Sequence, residues 1–301
     1  MIPEFPNFKK IELTDRKDVE KITAKFPAYA DFNFSNMWAW DLKGEMRFSI
    51  LNNNLVVKFT DYLTGEPFYS FLGENMVNET TEELIMFSEK NCKTGILKLV
   101  PESVVGFLDK SEFDVISDID SRDYIYSISH LASMDAWSQS TISKGIRRFI
   151  KQYSEYVIKE QSFSDILEEE YLKMFKKWSE NKNILNYPEL NEYKAFERSF
   201  QIKDKNIRVI SLYVKGVLVG FSLFEILLNG YALSHFAKAD VSYHASVYDV
   251  LDWEEAKLLK KQGIKYYDWE QDLGLIGLRK AKMKYKPDLF LNKFIIKIAK
   301  K

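Results

Sequence analysis

Hydrophobic periodicity along this chain runs through one series of elements twice: strand, helix, helix, three strands, helix, strand, helix, strand. In the first half, residues 8–13 read as a strand, and Thr14-Asp15 caps a helix to residue 26 with Val19, Ile22 and Phe26 on one face. A short aromatic helix at 32–40 follows, then strands Arg47–Leu51 and 55–59 joined by Asn52-Asn53-Asn54, which is hairpin chemistry. A strand at Pro67–Leu72, a helix at 78–91, a strand at 96–100, a proline-led helix at 101–108 and strands at 113–116 and 124–129 complete the half. The second half offers a strand at 156–160, helices at 164–178 and 189–200, and a meander of Ile207–Val214, Val217–Ile226 and 231–237. A helix at 245–261 ended by Gly263, a strand at 265–269, a helix at 275–285 and a strand at 289–298 close it. This pattern predicts an α+β chain with mixed α/β sheets, built from two modules of one architecture.

Length agrees: 301 residues suit two domains of about 150. The expected division is 1–132 for the first module, 133–153 for a basic helical connector and 154–301 for the second. A hydrophobic content of 46% excludes a disordered chain, and the single cysteine, Cys92, excludes an internal disulfide framework. The opening MIPEFPNFKKIEL has prolines and charges where a secretory signal needs an apolar core, so the expected location is cytoplasmic. The most apolar stretch, 209–236, is broken by Lys215, Glu225 and Asn229-Gly230 and reads as strands rather than a membrane span. Net charge is -1, but residues 1–130 hold 14 Lys/Arg against 22 Asp/Glu and residues 131–301 hold 29 against 22. Such an asymmetry points to an anionic partner for the second half or to nothing more than solvated surface.

The element order resembles that of the acyl-CoA N-acyltransferase (GNAT) fold, and two copies in tandem resemble the subset that uses aminoacyl-tRNA. The sharpest local sequence is Tyr267-Asp268-Trp269-Glu270-Gln271-Asp272-Leu273-Gly274-Leu275-Ile276-Gly277-Leu278-Arg279-Lys280-Ala281-Lys282-Met283-Lys284-Tyr285-Lys286-Pro287. It resembles the signature of the bacterial family of the phosphatidylglycerol lysyltransferase C-terminal domain, in which E-Q-D-L-G precedes G-L-R-K-A-K, an aromatic residue and a proline. His235-Phe236-Ala237-Lys238-Ala239-Asp240 and the aromatic block from Asp31 to Trp40 are similar to two further family blocks. The chain departs from the pattern at Ile142-Ser143-Lys144, where a K-R-N-like triplet is usual, and at Ala237, where a glutamate is common.

The resemblance implies acyl transfer, with aminoacyl-tRNA or acyl-CoA as donor and a small molecule or lipid head group as acceptor. A non-catalytic module for an anionic ligand is the rival reading. Acyl transfer needs a held acceptor, donors for the oxyanion and a proton acceptor. Glu270 and Asp272 are the candidate catalytic acids; if the preceding strand continues through them, they project from one side of it. Their alternative role is to pair with Lys280 or cap the next helix. Arg279, Lys282 and Lys286 fall on one face of the predicted helix, and with Lys280 they form a candidate anion-binding ladder. Lys238 and Asp240 follow the meander where a CoA-dependent member places a glycine-rich pyrophosphate loop, yet residues 240–246 contain no glycine. The three histidines show no metal-ligand spacing, and His235 in an apolar strand reads as a core residue.

Overall fold

The computed structural model describes residues 1–61, 64–138 and 140–300; Gln139 of the expected connector lies outside them. The chain begins with β1 (Lys9–Lys10), α1 (Arg16–Thr23), α2 (Phe34–Trp40), β2 (Arg47–Leu51), β3 (Asn54–Thr60) and β4 (Pro67–Leu72). It continues through α3 (Val77–Cys92), β5 (Leu97–Pro101), α4 (Glu102–Val105), β6 (Phe113–Ser117), β7 (Asp123–Ser127), α5 (Ile128–Leu131) and α6 (Thr141–Gln152). Next come β8 (Val157–Ser162), α7 (Glu168–Asn181), α8 (Asn191–Ser199), β9 (Ile207–Val214), β10 (Val217–Ile226) and β11 (Tyr231–Ala239). The last elements are α9 (Val247–Lys261), β12 (Tyr266–Asp268), α10 (Ile276–Met283), β13 (Leu289–Leu291) and β14 (Lys293–Ile298).

Two mixed seven-stranded sheets result, ordered β1-β2-β3-β4-β5-β14-β6 and β13-β7-β12-β11-β10-β9-β8. The hairpins follow from turn chemistry: Asn52 and Asn53 both take positive φ, as do Lys215 and Gly216, which is the geometry a two-residue turn between twisted strands requires. Parallel pairing joins β4 to β5 in the first sheet and β11 to β12 in the second. Pairing of β11 with β12 runs from Tyr231↔Tyr266 to Leu233↔Asp268, so β11 extends six residues past its last partner on β12.

The compact units are not consecutive halves of the chain. Unit 1 comprises residues 1–124, 270–282 and 290–301, and unit 2 comprises 125–269 and 283–289. Strand β14, the last of the chain, is a central strand of the first sheet, antiparallel to β5 and β6, with Ile296 buried in the core beside Val56, Phe71, Leu84 and Val100. The expected boundary near 132–154 therefore describes neither unit, because a linear reading cannot see a terminal strand returning to an earlier sheet. The same exchange dissolves the charge asymmetry. Unit 1 carries 21 Lys/Arg against 24 Asp/Glu, and unit 2 carries 22 against 20.

In unit 2, α7 and α8 lay aromatic side chains on one sheet face, where Tyr171 and Phe196 meet Phe221 at 5.1 and 5.4 Å between ring centres. Side chains alternate along a strand, so the neighbouring Ser222 points the other way and reaches Glu255 on α9 at 3.1 Å. Among the described residues, no helix is long and apolar enough to cross a membrane.

Candidate functional site

The signature loop belongs to unit 1. Strand β12 stops at Asp268, and Glu270, Leu273 and Gly274 all take left-handed backbone (φ 59°, 52° and 72°), so the chain coils instead of extending. The expectation that Glu270 and Asp272 leave one side of a strand fails for that reason. Asp272 is fully buried. Its Oδ2 accepts from Arg279 Nε at 2.7 Å and from the Tyr124 hydroxyl, and its Oδ1 accepts from Arg279 Nη2 at 2.7 Å and the Gly274 amide at 2.8 Å. Burial pushes this carboxyl up, but the bonds from Arg279, Tyr124 and Gly274 outweigh it and hold Asp272 below the usual carboxylate value. The Asp272 carbonyl also receives the Leu275 amide at 2.9 Å, just ahead of α10.

The expected cationic ladder is dismantled by the same coil. Arg279 is committed to Asp272 and, through Nη2 at 2.6 Å, to Asp120. Lys282 is buried, and its ammonium donates to the backbone oxygens of Glu270 at 3.0 Å and Gln271 at 2.6 Å. Helix α10 ends at Met283, so Lys286 lies past it with φ 56° and shares no helical face with Arg279 and Lys282. Lys280 and Lys286 are exposed.

Glu270 differs from Asp272. It is only part-buried, and its Oε1 accepts from Asn36 Nδ2 at 2.6 Å. The same Asn36 amide donates to the Ala30 carbonyl at 3.1 Å. Behind this pair lies a buried ionic cluster. Lys293 on β14 donates to Asp31 and, at 2.7 Å, to Asp123, with Gln271 Nε2 donating to Asp31 at 3.3 Å. Burial pushes Asp123 up to about 6 although Lys293 works against it. Sequence reasoning did not single out Lys293 or Asp123; Asp31, Asn36 and Gln271 stood inside the family blocks with no role attached.

Lys238 and Asp240 lie in unit 2. The Lys238 ammonium is buried over the rings of Trp178 (4.3 Å) and Phe175 (4.9 Å) and donates to Glu192 Oε1 at 2.6 Å. Asp240 Oδ1 accepts from Asn181 Nδ2 at 2.8 Å, Ser242 Oγ at 2.6 Å and the Ser242 amide at 3.0 Å. Burial raises Asp240, but these bonds prevail and keep it below its ordinary value. The rest of the β11–α9 loop closes on itself: Tyr243 N to Asp240 O at 3.2 Å, Ser246 N to His244 Nδ1 at 3.1 Å and Val247 N to His244 O at 3.2 Å. His235 is the core residue expected, 3.3 Å from the buried Glu225. Among the described residues, no group of three metal-ligating side chains comes together.

The model of the phosphatidylglycerol lysyltransferase C-terminal family matches residues 23–297. Among curated protein sequences, none matches this chain. A conserved protein of unknown function from Bacteroides thetaiotaomicron VPI-5482 is 26% identical, with a TM-score of 0.82 over 99% of this chain and 100% of that one. The C-terminal domain of a putative lysylphosphatidylglycerol synthetase from Agrobacterium fabrum is 10% identical, with a TM-score of 0.65 over 96% of this chain and 93% of that one. A GNAT-family acetyltransferase from Colwellia psychrerythraea is 11% identical, with a TM-score of 0.50 over 98% and 100% of the two chains. The GNAT-like fold expected from the element order is borne out. With the match extending over nearly its whole length, the chain belongs to the family of the phosphatidylglycerol lysyltransferase C-terminal domain.

Proposed function

We propose that this chain is an acyltransferase that takes an aminoacyl group from tRNA and passes it to an amine or hydroxyl, carried by a small molecule or a lipid head group. The observation that carries the reading is the β11–α9 loop. In a CoA-dependent relative, amides of this loop approach a pyrophosphate ahead of a helix N-terminus. Here the amides of Ser242, Tyr243, Ser246 and Val247 already serve acceptors within the loop, one of them the carboxylate of Asp240. A pyrophosphate there would displace those bonds and meet a negative charge. An aminoacyl ester makes no such demand, and membership of a lysyltransferase family supports it as the donor.

Within this reading, the proposed proton acceptor or ammonium ligand is Glu270, part-buried and steered by Asn36. Asp272 shapes the loop by holding Arg279, and Lys282 ties the loop carbonyls down. Lys238 is paired with Glu192 beside Trp178, and the exposed Lys280 and Lys286 are the remaining candidates for anion contact. In the transfer, the acceptor nitrogen or oxygen bonds to the ester carbonyl carbon, its proton is taken up, and the tRNA hydroxyl leaves protonated. Filter retention of aminoacyl-tRNA over a salt series tests the donor. Retention at low salt that weakens steeply as salt rises supports it; thermal stabilisation by acetyl-CoA without tRNA retention favours the CoA-dependent alternative.

A further inference from the structure

We infer that the outer face of α6 is a docking surface for the phosphodiester backbone of RNA. The helix places Lys144, Arg147, Arg148 and Lys151 at positions i, i+3, i+4 and i+7, a single stripe along two turns. All four are exposed, and among the described residues none of them forms an ion pair. Like charges at these spacings weaken a helix, so the stripe is held by what lies behind it. Ile142, Ile146 and Phe149 are buried, Ser140 caps the first turn through the Ile142 amide at 3.1 Å, and Ser143 Oγ donates to the Asp135 carbonyl at 2.9 Å. Unit 2 as a whole is nearly balanced, with 22 basic against 20 acidic side chains, so four unneutralised cations on one stripe are a local concentration.

Two observations select RNA among polyanionic surfaces. First, α6 buttresses the β11–α9 loop. Its Gly145 lies against Ser246, Phe149 meets His244 edge-on at 5.5 Å, and Tyr153, just past the helix, donates to the Tyr243 carbonyl at 2.9 Å. A polyanion lying along α6 thereby meets the loop at which a CoA-dependent relative holds its donor. Second, the exposed residues of α6 are all polar: Thr141, the four cations and Gln152. A helix that docks on a bilayer buries apolar side chains among the head groups, whereas Ile142, Ile146 and Phe149 of α6 are buried in the protein and Ile150 is half-buried. The inference deepens the proposed donor reading, and its choice of RNA rests on that reading.

The test compares wild type with Lys144→Glu/Arg148→Glu/Lys151→Glu, which keeps Arg147 and its 2.8 Å bond to the Asp135 carbonyl. The probes are an uncharged RNA hairpin ending in CCA and vesicles containing phosphatidylglycerol, with binding read by anisotropy and sedimentation over a salt series. The expected result is at least about 30-fold weaker RNA binding by the variant at low salt, with the slope of log K against log salt reduced by about two to three. The corresponding triple glutamine variant, which removes charge without reversing it, loses less but in the same direction; both melt like wild type. Equal RNA binding by wild type and variant overturns the inference, as does wild-type binding to vesicles but not to RNA, or to neither. The donor reading is scored apart, by consumption of aminoacyl-tRNA. RNA binding through α6 without consumption removes the donor and keeps the surface. Consumption at an undiminished rate by the variant removes the surface and keeps the donor.

Discussion

Asp272 and Arg279 meet as a two-pronged pair, Nε to Oδ2 and Nη2 to Oδ1, each at 2.7 Å. Seven residues apart in sequence, they clasp the signature loop onto the helix that follows it. Both oxygens of Asp272 are thereby spent, and its lowered pKa makes it a poor base.

Arg279→Leu is expected to lower the urea midpoint at pH 7, since Asp272 stays buried without its guanidinium. Arg279→Lys restores only part of the loss, because an ammonium cannot span both oxygens. The pH dependence has a fixed sign. A depressed carboxyl contributes stability that is complete above its ordinary value near 3.8 and drains as pH falls through the native one. The gap between wild type and Arg279→Leu should therefore be full at pH 7 and narrow below about pH 4, as urea titrations at both pH values would show.

Lys293→Met should be severe. It leaves Asp31 and Asp123 buried together without their shared cation, a loss of about 3–5 kcal/mol. Asp123 already sits up at about 6 with Lys293 present. Without the lysine the Asp123 carboxyl rises further, so the penalty should be larger at pH 8 than at pH 5. Denaturant unfolding of the variant at the two pH values checks this.

Glu255 carries the opposite sign. Burial foremost, with Asp252 adding to it, raises its carboxyl to about 8 despite bonds from Tyr267 at 2.8 Å and Ser222 at 3.1 Å. A raised acid contributes fully below its ordinary value near 4.5 and loses that contribution as pH climbs to the native value. Glu255→Gln should thus gain on wild type by up to about 1.4 kcal/mol per pH unit between those values and hold its advantage above pH 8. Thermal melts from pH 5 to 9 would reveal the trend.

Gly145→Ala tests the helix contact behind the β11–α9 loop. An added Cβ would stand 3.0 Å from the Ser246 side-chain carbon and closer still to its hydroxyl, so Ser246 or α6 must give way. The expected cost is about 1–3 kcal/mol in denaturant unfolding, with loss of donor retention beyond what a surface alanine causes.

Local chemistry was legible from the sequence. The Asn52-Asn53 turn, the β9–β10–β11 meander and α3 stand where turn residues and periodicity placed them, because each is decided by neighbours in the chain. What escaped is decided by distant residues. Nothing near Lys293 shows that its ammonium will lie between Asp31 and Asp123, 262 and 170 positions away. The reading of Glu270 and Asp272 assumed an extended chain, which the left-handed residues at 270 and 273 remove. Counting charge by halves misled for a related reason: the basic tail of the chain completes the sheet of the acidic half.

Single-turnover transfer shows whether an aminoacyl ester is the donor. The protein is mixed with labelled aminoacyl-tRNA and a panel of amine, hydroxyl and lipid head-group acceptors, with acetyl-CoA run in parallel. Acceptor-dependent loss of label from tRNA is expected, with label appearing on the acceptor, slowed by at least about 100-fold in Glu270→Gln. Stable aminoacyl-tRNA throughout, with acetyl transfer from CoA to one of the same acceptors, would contradict it.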